Sequence, residues 1–471
     1  MDIETVNKRA FKSGVWYTVS NLLVKSMAFI TTPLFTRLLT KEEYGDYNNY
    51  LSWSAVLSVF ITLNVEASLI SAKFDFKENF KQYVFSISTL STFSAVIWLV
   101  VSNILKTWIT KFLGMDIFYI NIMIIYCLFL AVVNLFQVSG RYMYQYKEAV
   151  FVAIFLALGT TILSIILVYN MSNRFMGRVL GMALPAIIIG LVLYIYLFKN
   201  GENIKFRYWI YALKICIPYI PHLLSLTVLN SVDRVMITQI CGSGYTALYS
   251  VAYSCGTIIT LLLTSMNSAF SPWLGDKLAL NDFMGIRKIS KYYISVFLVL
   301  GVGVMLFSPE VLYIMGGKVY MEAKYVMPPV AFGCICQFIY TMFVNIEQFK
   351  KKTTGMAIAS VIAALLNYLL NLWFIPEFGY IAAAYTTLAG YLFLLIAHMF
   401  LVWKLKYSKV YSYRFIFVMV ALVFTISLFI NVLYNYNLFR YITILIYIAG
   451  VLVFLWLKKE RLLILAKNRG K

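Results

Sequence analysis

Stretches of about 20 apolar residues, each long enough to cross a hydrocarbon core of about 30 Å as a helix, recur from one end of this 471-residue chain to the other. No polar interval between them is long enough for a separate soluble domain. Such a pattern admits very few folds, because a backbone in lipid must satisfy its own hydrogen bonds as helices or a closed barrel. Apolar runs of this length, without a two-residue alternation, select helices. With 62% hydrophobic and only 13% charged residues, one water-soluble core could not hide the apolar surface.

Fourteen spans are predicted, at 13–36, 47–72, 83–105, 117–139, 148–169, 178–198, 211–240, 246–273, 291–314, 326–348, 355–376, 380–403, 415–435 and 441–457. The fold class is thus an all-α integral membrane protein. The N-terminal MDIETVNKRAFKSG carries acids and runs into the first span without a small-residue cleavage site, so the sequence predicts that this span is retained.

Charge sets the expected orientation. With the N-terminus cytoplasmic, 29 of the 40 Lys and Arg residues fall in cytoplasmic segments and 9 in the opposite ones. The positive-inside rule therefore places both termini in the cytoplasm. Orientation and attraction to anionic lipid account for the net charge of +21, and no nucleic-acid partner is implied.

Two weak internal similarities suggest a parallel repeat. TRLLTKEEYGDY (36–47) lies over TQICGSGYTALY (238–249), and RFMGRVLG (174–181) over GYIAAAYT (379–386). The first pair shares Thr36/Thr238 and Tyr47/Tyr249. Spans 1–6 then form an N-terminal lobe (1–209) and spans 7–12 a C-terminal lobe (210–410). Residues 411–471 add spans 13 and 14 and a basic tail. In span 7, PYIPH (218–222) places two prolines beside a histidine, which predicts an interrupted helix next to a polar cavity.

Polar groups inside spans are the functional candidates, because a charge near the bilayer centre costs about 2.5–3.5 kcal/mol. Lys25 lies midway along span 1 and Arg234 in the outer part of span 7. Arg37 and Arg141 stand at span ends, the latter sharing a helical face with Gln137. These four cations form the expected anion site. Glu66, Asp233 and His222 are the candidates for ion or proton coupling, with Glu66 alternatively neutralising Lys25 or Arg141. For the other histidine, His398, a packing role is expected. The six cysteines lie in or beside apolar spans, where thiols act as small hydrophobes, so neither a disulfide framework nor a metal site is expected.

Ser-His-Asp, P-loop, HExxH and kinase signatures are absent from the sequence. An enzyme joining glycans would also need an outer loop or domain, and the outer gaps are expected to be about ten residues or fewer. Transport, without a bound cofactor, remains.

Three segments carry a family resemblance: PLFTRLLTKEEYGDYNNY (33–50), IPYIPHLLSLTVLNSVDRVMITQICGSGYTALYSVAY (217–253) and LLNYLLNLWFIPEFGYIAAAYTTLAGY (365–391). With them the chain resembles the polysaccharide transporters of the multidrug/oligosaccharidyl-lipid/polysaccharide (MOP) exporter superfamily, especially Wzx-type O-antigen flippases. The resemblance implies two pseudo-symmetric six-helix lobes that alternate in access, plus two C-terminal helices, in a bacterial inner membrane. It implies that undecaprenyl-diphosphate-linked oligosaccharide moves from the cytoplasmic to the outer leaflet. An H+ or Na+ gradient would drive it, with membrane lipids and other polysaccharide-assembly proteins as partners. Arg37, Asp233 and Arg234 are the positions carried over by motif. The alternatives are a drug or cation exporter of the same superfamily, whose cavity should be acidic, and a glycan polymerase or ligase.

Overall fold

The computed structural model describes residues 20, 23, 24, 26, 27, 29–143, 146–201, 203–352 and 354–467, with backbone alone at 146, 257, 258, 269 and 454–467. Lys25 lies outside the described residues. The helices, in chain order, are α1 (29–38), α2 (Lys41–Thr62), α3 (Leu69–Asp75), α4 (Phe80–Ile104), α5 (Lys106–Leu113), α6 (Ile117–Tyr142), α7 (Tyr146–Asn170), α8 (Arg174–Gly201) and α9 (Phe206–Ile240). Then follow α10 (Ser243–Ala279), α11 (Phe283–Leu306), α12 (Ser308–Gly316), α13 (Met327–Phe349), α14 (Thr354–Phe378), α15 (Tyr380–Lys404), α16 (Tyr413–Leu433) and α17 (Asn437–Lys467). Short 3-10 segments at Val65–Ser68 and Lys318–Val326 precede α3 and α13.

Eleven helices among the described residues are long and apolar enough to span a membrane, and they carry spans 3 to 13 of the sequence. Span 14 falls on the apolar stretch Asn437–Val453, and span 1 is described only in part, its second half being α1. Span 2 is not one rod: α2 and the Val65–Asp75 helix are bent by 52°. Leu63 and Asn64 sit at the bend with φ of 55° and 47°, a left-handed conformation that ends a helix.

The predicted interruption at PYIPH does not occur. α9 is helical through Pro218 and Pro221 over all of its 35 residues. Each proline removes one intrahelical bond, to the carbonyls of Lys214 and Ile217, yet the helical dihedrals persist on both sides. Two lost bonds amid long flanking helix distort it less than a run of left-handed residues does.

A second expectation also needs correcting. The segment between the ninth and tenth membrane helices is not a short turn, since residues 307–326 fold as α12 and a 3-10 helix. Likewise α5 fills the connection after α4 and exposes Trp108 and Phe112, whose rings stack at 5.4 Å. Exposed aromatics beside Lys106 and Lys111 suit the membrane–water interface.

The chain packs as two compact units, Met1–Ser254 with Lys352–Leu394, and Cys255–Lys351 with Leu395–Lys471. They are defined by packing, so they cut the chain at other points than the sequence division at 209/210 and 410/411.

Within the first unit, the two similar corners match in register. Each is a helix, a two-residue turn and a new helix, with α2 starting at Lys41 and α10 at Ser243, 202 residues on. Thr40 caps α2 by accepting the Glu43 N–H at 3.2 Å, while the Glu43 carboxylate accepts the Thr40 N–H at 2.8 Å. The corners also touch. Gly45 packs so closely that a Cβ there would lie 1.7 Å from the Ser243 carbonyl oxygen. The neighbouring Asp46 hydrogen-bonds Ser243, and Glu42 lies beside Gly244. Two acids of the first corner thus stand at the N-terminus of α10, whose first turn has none of its own.

In the second unit His398 Nδ1 lies 2.8 Å from Glu347 Oε1, with both side chains almost fully buried. The Tyr340 ring stacks on the imidazole at 5.5 Å.

Candidate functional site

α1, α2, α6, α7 and α8 enclose a cavity of about 420 Å³ within the first unit, lined by Tyr47, Tyr126, Asn134, Gln137, Thr160, Thr161, Arg178 and Met182 together with apolar groups. Arg178 is the charged side chain of this lining. Its backbone is set by the approach of α8 to α7, where Gly177 and Gly181 leave no room for a side chain: a Cβ on Gly181 would meet Ser164 Cα at 2.3 Å. This contact puts the Ser164 hydroxyl 2.6 Å from an Arg178 terminal nitrogen.

The guanidinium carbon lies 3.8 Å from the Phe35 ring centre and 4.4 Å from that of Tyr47. Cation–π contacts of this kind contribute about 0.5–2 kcal/mol, which does not replace a counter-ion. Among the described residues no carboxylate pairs with Arg178, and its Nε is buried without an acceptor. A partly desolvated cation with a donor to spare is an electrostatic invitation to an anion.

The corresponding place in the other half of the unit carries the opposite charge. Tyr249, the repeat counterpart of Tyr47, donates its hydroxyl to Asp233 Oδ2 at 2.6 Å. Asn371 Nδ2 donates to Oδ1 at 2.7 Å and Thr387 to Oδ2. Thr386 in turn donates to the Asn371 carbonyl, and Asn367 and Asn371 are linked at 3.4 Å. Asp233 is 1% exposed, and its hydrogen-bond partners are all neutral. The cluster is a buried carboxylate met by two hydroxyl donors and one amide N–H, a group able to take up a proton inside an apolar span.

The remaining sequence candidates are spread along the unit. Arg234 does not pair with Asp233; it donates to Asn230 O at 2.9 Å and lies 4.6 Å from the Tyr253 ring centre. Arg37 is exposed and donates to Pro33 O at 2.8 Å. Arg141 is exposed at the end of α6. Glu66 follows the bend in the second span, and its Oε2 is buried without a hydrogen-bond partner among the described residues; Lys25, its alternative partner, lies outside them. His222 lies in α9 with Nδ1 unpartnered and its ring 5.5 Å from that of Tyr219.

Arg178 was missed because the sixth span was started at residue 178, which makes it an interfacial anchor. α8 begins one turn earlier, at Arg174. The available signal was the spacing RFMGR, with arginines on one helical face and glycine between them. Gln137, noted for sharing a face with Arg141, lines the cavity; Arg141 is not among its lining residues.

Known proteins share this architecture. The family described as polysaccharide biosynthesis protein matches residues 10–277, and the MatE family matches residues 218–373. A solved structure of the lipid II flippase MurJ in an inward closed conformation superposes with a TM-score of 0.69 at 14% identity, covering 95% of this chain and 100% of that one. A MOP superfamily transporter from Pyrococcus furiosus gives a TM-score of 0.60 at 14% identity, over 85% of this chain and 96% of that one. The uncharacterized membrane protein MJ1068 of Methanocaldococcus jannaschii is 22% identical over 95% of this chain and 94% of its own length. At these identities the structural likenesses bear on fold, whereas the family match spans more than half of the sequence. The chain belongs to the polysaccharide biosynthesis protein family and is a multi-pass membrane transporter of the MOP superfamily.

Proposed function

We propose that this protein is a flippase that moves an undecaprenyl-diphosphate-linked oligosaccharide from the cytoplasmic to the outer leaflet of a bacterial cell membrane, for O-antigen or related surface polysaccharide. The observation that carries this reading is Arg178, a cation without a carboxylate partner among the described residues, facing a polar cavity of about 420 Å³. A diphosphate would accept from the terminal nitrogens of Arg178, while Asn134, Gln137 and the threonines meet the first sugar hydroxyls. The family membership and the likeness to a lipid II flippase support it. A drug or cation exporter would need an anionic group where Arg178 stands.

Transport by alternating access requires an energy source, and the Asp233 cluster supports an ion-coupled one. Binding of H+ or Na+ among Asp233, Asn371 and Thr387 would neutralise the carboxylate and change the local packing. Both termini lie in the cytoplasm in this reading, as the distribution of Lys and Arg favours.

The test is deletion of the gene, followed by complementation. Loss of surface glycan with accumulation of lipid-linked repeat units on the cytoplasmic side is expected, and wild type restores export. Arg178→Gln should reduce the export rate about 10- to 100-fold, the equivalent of one charge-assisted hydrogen bond of about 1.5–3 kcal/mol. Full export by this variant would remove the diphosphate assignment, and a deletion with no change in lipid-linked repeat units would remove the flippase reading.

A further inference from the structure

A second cavity lies wholly within the second unit, between the 307–326 segment and the start of α17, with a volume of about 540 Å³. That size is within the range of small-ligand sites. Its floor is Arg440, 3% exposed, whose two terminal nitrogens meet the two oxygens of Glu310 at 2.7 and 2.6 Å. The guanidinium also donates to Leu306 O at 3.2 Å. Its two terminal nitrogens are therefore engaged and its position fixed, while Nε is buried without a partner among the described residues.

The carboxylate is different. Glu310 is 35% exposed; besides Arg440 it takes hydrogen bonds from Tyr441 and from its own backbone N–H, and it lines the cavity. Lys324 gives one hydrogen to Tyr434 O at 2.9 Å and retains two. Asn437 adds an amide at the rim. Tyr313 and Tyr441 line the same cavity and are half exposed. The site thus offers acceptors, donors and aromatic faces side by side.

A phosphate head group would find the terminal nitrogens of Arg440 engaged by Glu310, with only Lys324 of the lining cations left to meet it. An acyl chain would meet three charged groups. A pyranose ring fits each demand: its hydroxyls donate to the carboxylate and accept from the ammonium, and its C–H faces lie on tyrosine rings. We infer that this cavity is a binding subsite for a neutral hexose unit of a glycan. The inference rests on the reading of the protein as a carrier of lipid-linked glycan, and extends it to a second contact point at α12 and α17.

The test uses the full chain in lipid nanodiscs and saturation-transfer NMR. The probes are methyl glycosides and disaccharides of glucose, galactose, mannose and N-acetylglucosamine, with glycerol 1-phosphate as the head-group probe. At least one neutral saccharide should bind, and Tyr313→Ala and Tyr441→Ala should each weaken it about tenfold, or about 1.4 kcal/mol. Neither variant removes a member of the Glu310–Arg440 pair; Tyr441 also hydrogen-bonds Glu310 and lies 4.6 Å from the guanidinium, so Tyr313→Ala is the variant that leaves the pair's own contacts untouched. Tyr169→Ala, far more exposed at 82% and outside the cavity, should leave binding unchanged. Absence of saccharide binding to wild type, insensitivity to both tyrosine variants, or preference for glycerol 1-phosphate would each overturn the inference. Saccharide binding in a chain whose deletion leaves glycan export intact would instead overturn the flippase reading and spare the subsite.

Discussion

Replacing Gly45 by alanine tests the contact between the two corners of the first unit. The new Cβ would lie 1.7 Å from the Ser243 carbonyl oxygen and 2.5 Å from its carbon. An ordinary C···O contact is about 3.3 Å, so α2 and α10 must separate by about 1.6 Å. Overpacking of this severity costs about 3 kcal/mol, because the atoms struck are backbone and cannot rotate away. Separation also breaks the Asp46–Ser243 hydrogen bond, worth about 1 kcal/mol. Against this, alanine in a helix gains about 1 kcal/mol over glycine. The net loss is about 3 kcal/mol. Heating detergent-solubilised protein and following the surviving monodisperse fraction by fluorescence-detected size exclusion would measure it. The control is Gly275→Ala, where a Cβ meets nothing within 4 Å, so its midpoint should hold or rise. A Gly45→Ala midpoint equal to that of Gly275→Ala would refute the reasoning. So would rescue by Ser243→Gly, since shortening that side chain leaves the struck carbonyl in place.

Three further outcomes are expected. Asp233→Ala strands the donors of Tyr249, Asn371 and Thr387 and should lower stability by about 3 kcal/mol, at about 1 kcal/mol or more per orphaned group; Asp233→Asn should cost less in a thermal assay yet still abolish ion-dependent export. Glu347→Ala leaves the His398 imidazole buried without its partner and should cost about 1–3 kcal/mol, whereas Glu347→Gln retains a hydrogen bond and should recover most of that in the same assay. Asp282 caps α11, and the hydrogen bond from Lys277, followed by that from the Gly285 N–H, holds its carboxyl below the ordinary carboxylate value. Its contribution is therefore complete above the unfolded-state value and is lost as pH falls through the lower folded one. Between about pH 5 and about pH 3 wild type should lose thermal stability more steeply than Asp282→Ala, and parallel curves would contradict the assignment.

The membrane helices were legible because apolar length is a local property, written residue by residue. The bend at Leu63 and Asn64 was not, since two ordinary residues adopt positive φ there only under the packing around them. PYIPH misled in the opposite direction: its two prolines announce a break, and the flanking helix of α9 absorbs them. Asp233 was found from its sequence because a carboxylate inside an apolar run stands out. Its partners, Asn371 and Thr387, lie more than 130 residues away, and no spacing rule reaches that far. Arg178 shows a subtler limit. An arginine one turn inside a helix and one at its end look alike when the boundary is uncertain by a turn, but one faces a cavity and the other faces water.

The meeting of the first corner's acids with the start of α10 recasts the missing acids of the second corner. GSGYTALY did not lose a useful feature and drift; its counter-charge is on loan from its own duplicate. The two copies have become mutually dependent, and neither can be replaced by the other. A hybrid gene made of two first halves would set Glu42 and Asp46 against a second acidic corner, with like charges facing across the tightest backbone contact in the unit. Divergence at this seam is therefore part of what lets the two corners pack against each other within the first unit.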